Sequence, residues 1–84
     1  MKIFKVTLNG LDEIESKPES SSAAIIVDQD KNRLWIWKGT GASASDLYRA
    51  SSSATKIKKE FKMFTAKTVI VEEGNEPTDF SIKL

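Results

Sequence analysis

The stretch that decides the fold is RLWIWKGTGAS, residues 33–43. An apolar run of strand length carries Trp35 and Trp37 and ends in a Gly-Thr-Gly-Ala-Ser turn. Alternation along a strand puts both indoles on one face. A pair like this is more often a floor on which a helix packs than a stacking platform for a ligand. The turn admits three readings: a phosphate cradle, a ligand platform, or a corner between strand and helix. A dinucleotide fingerprint needs a third glycine and a crossover to a parallel strand, and a P-loop needs Gly-Lys-Ser/Thr after its spacer. WKGTGASASD has neither. Gly39 and Gly41 therefore read as a corner that needs permissive backbone.

Downstream of the corner, Ser43 or Ser45 is a natural N-cap and Asp46 adds charge to the first turn. Leu47, Ala50, Ala54, Ile57 and Phe61 follow at spacings of three, four, three and four. That stripe predicts a helix from about 44 to about 62, with Lys56, Lys58, Lys59 and Lys62 toward its C-terminal end. Upstream, AAIIVD (23–28) is a second continuous apolar run, joined to RLWIW by the turn DQDKN. The pair reads as a hairpin covered on both faces. IFKVTL (3–8) alternates, with Phe4, Val6 and Leu8 on its apolar side. NGLDEIESKPESSS (9–22) reads as a long polar connection pinned by Leu11 and Ile14. KTVIVEE (67–73) is a further central strand, and EPTDFSI (76–82) begins a short helix with Pro77 at its first position. No internal repeat is present, and residues 1–84 read as a single domain.

The totals narrow the function. A net charge of +1 argues against a general nucleic-acid or membrane binder. The chain has no cysteine and no histidine, which removes thiolate sites, the commonest zinc ligand and the commonest general base. Ser51, Ser52 and Ser53 thus lack an activating histidine, and an enzyme is not expected. Apolar runs of about five residues do not span a bilayer, and MKIFKVTLNG lacks a signal peptide's apolar segment, so a cytoplasmic location is expected. Asp28, Asp30 and Asn32 match the first ligand positions of an EF-hand, but Arg33 and Gly39 stand where glycine and glutamate are required. A hairpin turn explains these residues better. On a helical wheel, Ser45, Ser52, Lys56 and Lys59 point away from the apolar stripe, flanked by Tyr48, Arg49 and Thr55. The face is either simply solvated or a smooth surface that a partner's groove accepts.

The strand pair ending LWIWKGTGAS, the long helix and the closing VIVEEGNEPTDF together resemble a gelsolin/villin-type repeat over almost the whole chain. Trp37, Gly39 and Ser43 carry the first motif; Val71, Glu73, Gly74, Glu76, Pro77 and Phe80 carry the second, more specific one. The resemblance implies an α+β fold, a central mixed sheet of about five strands between one long helix and one short helix. It implies a partner, actin or an actin homologue, met by the long helix through Tyr48, Arg49, Ser52, Thr55, Lys56 and Lys59, with modulation of actin assembly at monomers or filament ends. No nucleic acid or membrane is implied, and the chain alone is expected to be a monomer. Calcium commonly regulates such repeats. Carried over, Asp46 matches the family's helix acid, whereas Ser21 and Ser22 fall where its Gly-Asp pair would be, and the tail carbonyl is expected beyond Leu84. A weak or absent calcium site follows. Lys58 and Lys59 replace a second family acid, and Ser52 and Ser53 replace bulky contacts. The alternative is a non-actin interaction module of the same fold, as in coat complexes.

Overall fold

In the computed structural model of the chain, residues 2–80 are described. Their elements are β1 (Lys2–Thr7), β2 (Gly10–Ile14), β3 (Ala23–Asp28), β4 (Arg33–Lys38), α1 (Ala44–Glu60) and β5 (Lys67–Glu72). They form one sheet in the order β2-β1-β3-β4-β5. Pairing is antiparallel except between β4 and β5, which α1 connects as a crossover. The mixed five-stranded sheet is the one expected.

β3 is buried at every residue because both faces of the sheet are covered. On one side Ile25, Val27, Leu34 and Ile36 meet Ala50, Ala54 and Ile57 of α1, and Phe4 packs edge-on to Phe61 at 6.1 Å. On the other, Ala24, Ile26, Trp35, Trp37 and Val71 cluster with Phe80. The tryptophans are a floor, but not for the long helix: strand alternation sets them opposite Ile36 and Leu34, which α1 takes. Phe80 covers Trp35 edge-on at 5.1 Å.

Three expectations fail locally. The polar connection after β1 contains β2. Its Leu11 sits opposite Val6 and packs on the helix-side core, and its Ile14 sits opposite Ile3. An edge strand with one apolar residue per face shows no clean alternation, and Gly10, Asp12 and Glu13 are poor strand formers. Leu8 consequently leaves the strand for the β1–β2 turn, where it is 81% exposed. The expected short helix over 76–82 is not seen in its described part: Pro77 to Phe80 makes one turn, closed by the Phe80 N–H to the Pro77 carbonyl at 3.0 Å. Residues 81–82 lie outside the described residues.

The corner stands where it is expected, but backbone freedom is not what its first glycine supplies. The Gly39 and Gly41 N–H groups donate to the Ser22 and Ser20 carbonyls at 3.0 and 2.9 Å. A Cβ on Gly39 would stand 2.1 Å from the Ser20 oxygen, so close approach, not dihedral freedom, demands glycine. Ser43 caps α1 in a reciprocal capping box with Asp46. The helix stops at Glu60 because Lys62 turns left-handed, φ 55°, and the Met63 and Lys62 N–H groups return to the Lys58 and Lys59 carbonyls. This is a Schellman ending, and its apolar partner Met63 is buried beside Ile57.

Candidate functional site

Ala50, Ala54 and Ile57 fix the rotation of α1 about its axis. Tyr48, Ser52, Thr55, Lys56 and Lys59 are thereby exposed, as is Ser45, and Tyr48 keeps 73% of its surface in solvent. Arg49 is half-buried and donates to the Asp46 carboxylate at 3.2 Å. The expected contact residues therefore share one open face, with Arg49 at its margin.

Beside that face runs a groove which sequence reasoning did not find. A cavity of about 300 Å³ opens between α1 and the β1–β2 turn, with Leu8 and Tyr48 among its walls and Ser52 and Ser53 in its lining. A second cavity, about 340 Å³, continues it along the helix past Leu11 and Lys56. Gly10 and Ser53 line both. Small serines leave the space, and the unrecognised hairpin supplies the far wall. Asn9-Gly10, a favoured hairpin dipeptide, was the signal available for the turn.

The candidate calcium ligands are otherwise engaged. One Asp46 oxygen accepts the Ser43 N–H at 3.2 Å and the other accepts from Arg49. The Ser43 contact, chiefly, holds this carboxyl below its ordinary range. The Ser22 carbonyl receives Gly39, Ser22 is buried, and Ser21 is exposed. Among the described residues no three acidic side chains gather to hold a metal. Of Asp46, Ser21 and Ser22, Asp46 alone offers a carboxylate. In DQDKN, Asp28 is buried and accepts the Lys31 N–H at 3.2 Å, while Asn32 sits at φ 53° and donates its side-chain amide to the Thr65 hydroxyl. The first is a turn contact, and the second ties the turn to the segment before β5.

The Glu-Gly-x-Glu-Pro stretch proves to be a clasp. Glu73 accepts the Thr40 N–H at 3.0 Å and hydroxyls from Ser20 and Thr40, with Lys17 at 3.7 Å. Those contacts, the Thr40 N–H foremost, hold its carboxyl below the usual value. It ties the end of β5 to the corner that launches α1. Glu76 accepts the Trp37 indole N–H at 3.1 Å, which lowers its carboxyl in the same way, and also the Gly74 N–H. Asp79 pairs with Arg33, whose guanidinium depresses it and lies over Trp35 at 5.4 Å. None of these groups touches the groove.

No described helix is long and apolar enough to cross a membrane. No protein-family model matches the chain, and no curated protein matches it. Solved structures do. The chain is similar to the Thorarchaeota ProGel crystallised with rabbit actin: TM-score 0.82 at 19% identity, covering 94% of this chain and 92% of that one. It is also similar to Thorarchaeota 2DGel3, likewise in a rabbit actin complex: TM-score 0.76 at 12% identity, covering 94% of this chain and 40% of that one. The chain has a gelsolin-like fold.

Proposed function

We propose that this chain binds actin or an actin homologue through the outer face of α1, and that it modulates assembly by occupying monomers or a filament end. The observation that carries the reading is the unpartnered face bearing Tyr48, set beside a groove rimmed by Leu8, on a fold whose similar solved structures are actin complexes. An exposed amphipathic helix entering a cleft is a recurrent recognition mode. Tyr48 is the natural anchor, since tyrosine buries a large rigid area at small entropic cost. Ser52 and Thr55 allow close approach, and Lys56 and Lys59 meet acidic groups. Arg49, held by Asp46, is presented at one margin. Leu8 joins these residues from the hairpin. The chain acts in this reading as a cytoplasmic binding module of the actin cytoskeleton, without catalysis.

Co-sedimentation and a pyrene-type assembly assay with the cognate actin test the reading; no effect at high micromolar concentration ends it. The Tyr48→Ala, Lys59→Glu double variant is expected to bind actin about tenfold or more weakly while its circular dichroism stays unchanged. Equal affinity moves the contact elsewhere on the domain. A pull-down that returns coat-type partners and no actin favours the non-actin alternative. Calcium is expected to bind weakly at best, because Asp46 is the one carboxylate among Asp46, Ser21 and Ser22 and both its oxygens are already engaged. A sub-micromolar constant by calorimetry refutes that.

A further inference from the structure

The chain holds asparagine at positions 9, 32 and 75, and the structure gives each a different setting. Asn32, in the β3–β4 turn, donates its side-chain amide to the Thr65 hydroxyl at 3.1 Å and is followed by Arg33, the first residue of β4. Asn75, in the turn after β5, is followed by Glu76, whose side chain is held by the Trp37 indole N–H. Asn9 is exposed at the tip of the β1–β2 hairpin. The Thr7 hydroxyl accepts its N–H at 3.2 Å and donates to the Gly10 carbonyl at 3.0 Å, which holds the turn on either side of the Asn9-Gly10 peptide. The Asn9 side-chain amide itself makes no hydrogen bond among the described residues. Its successor Gly10 is exposed, at φ 132°, with nothing within 4 Å of where a Cβ would stand. An asparagine loses its amide when the next residue's backbone nitrogen reaches its Cγ. A side chain on that next residue ordinarily hinders the approach, and Gly10 has none.

We infer that Asn9-Gly10 is a self-modifying site: the hairpin tip loses the Asn9 amide without an enzyme and acquires a carboxylate in its place. The Gly10 nitrogen attacks the Asn9 Cγ. The new N–Cγ bond closes a five-membered imide, the Cγ–Nδ2 bond breaks, and Nδ2 leaves as ammonia with the proton from the Gly10 nitrogen. Water then opens the imide. Opening at Cγ gives an aspartyl residue, and opening at the Asn9 backbone carbonyl gives an isoaspartyl residue, whose main chain runs through Cβ and Cγ. One water enters and one ammonia leaves, and no oxidant or other reactant is needed. Gly10 pairs with Thr7 beside the turn, so the ring closes when that pair frays. Fraying is local, because β2 is an edge strand with β1 as its one neighbour in the sheet. The change falls on the groove wall, since Leu8 and Gly10, the residues on either side, both line the cavity beside Tyr48. The formal net charge of +1 drops to zero. The isoaspartyl form also inserts one carbon into the main chain between Leu8 and Gly10 and so displaces that wall. The reaction proceeds in the chain alone, so this inference stands apart from actin binding.

Incubation of the purified, folded chain without actin, for weeks in mildly alkaline buffer at body temperature, tests it. Cuts after Lys31 and Arg33 leave Asn9, Asn32 and Asn75 on separate tryptic peptides. The Asn9 peptide is expected to gain about 1 Da, placed at position 9 by fragmentation, several-fold faster than the peptides of Asn32 and Asn75 gain it. The same peptide is expected to accept methyl groups from an isoaspartyl methyltransferase. Asn9→Gln has to close a six-membered ring, so it is expected to keep its mass and to accept no methyl group there; an unchanged circular dichroism spectrum verifies its fold. The peptide map of the unaltered chain does not depend on that variant. No conversion at Asn9 over the incubation overturns the inference. So does conversion at Asn75 as fast as at Asn9, or methyl acceptance that persists undiminished in Asn9→Gln.

Discussion

On one face of the sheet, α1 lays Ala50, Ala54 and Ile57 over Ile25, Leu34 and Ile36; on the other, Trp35 and Trp37 lie under a short closing segment that makes only one turn in its described part. The helix face closes by apolar interdigitation, and its polar groups are confined to the ends of α1. The tryptophan face closes by large rings with tied polar edges, Trp37 to Glu76 and Trp35 to Asp28, with Phe80 edge-on to Trp35 and Arg33 paired to Asp79. A helix covers area by repetition, so no single residue is decisive. A segment of a few residues must concentrate its hold in a few aromatic and ionic contacts. The helix face is thereby free to offer its outer side to a partner, while the tryptophan face is committed to holding the domain shut.

Neighbouring residues of β4 give the sharpest way to break this contrast. Trp37→Ala is expected to cost about 4 kcal/mol and Ile36→Ala about 3 kcal/mol in urea unfolding, each a large share of the stability of so small a domain. A Trp37→Ala cost well below that of Ile36→Ala shows that the closing segment does not pack tightly. Gly39→Ala tests the seam between the faces, where the new Cβ meets the Ser20 carbonyl oxygen. The backbone must shift, at about 2 kcal/mol, and the loss is expected to appear in both the tryptophan and the helix signals. A neutral substitution places the corner further from the Ser20 turn than the geometry requires.

Acid supplies the mildest test. The carboxyls of Glu73, Glu76 and Asp79 are all depressed by their hydrogen bonds. A group whose folded value lies below its ordinary value stabilises above the ordinary value and loses that contribution as pH falls through the folded one. The closing segment is therefore expected to loosen as pH drops below the ordinary glutamate value of 4.5. On the helix side Asp46 is depressed too, but from an ordinary value of 3.8 and at the helix end alone. Tryptophan fluorescence is expected to respond at a higher pH than the far-ultraviolet helix signal, and Glu76→Gln is expected to narrow that gap. Coincident transitions in the unaltered chain would mean that the two faces unfold as one unit.

The same contrast separates what was legible from what was not. The period of Leu47, Ala50, Ala54, Ile57 and Phe61 announced α1, because a helix writes its buried side into local spacing. The cap was equally local: Ser43 and Asp46 satisfy each other within one turn. β2 was missed because its two apolar residues serve different faces and its pairing with β1 is what makes it a strand. Alternation alone does not mark where a strand ends, so it places Leu8 on the apolar side of β1. Without β2 there was no second wall, and so no groove beside Tyr48.

The sequence by itself determined α1, a serine cap at Ser43 or Ser45, the corner at Gly39, the two buried hairpin strands and the identity of the open helix face. Each rests on contacts between residues close in the chain or on a repeating pattern. Tertiary structure alone decided which side of the sheet the tryptophans would take, what Glu73 and Glu76 would hold, and that Leu8 and Ile70 would be left in solvent. Those outcomes depend on residues distant in sequence: Glu73 on Ser20 and Thr40, Trp37 on Glu76, and Ile70 on how far α1 reaches across the sheet. Burial of a given side chain is a property of what arrives to cover it, and nothing in its own neighbourhood of the chain records that.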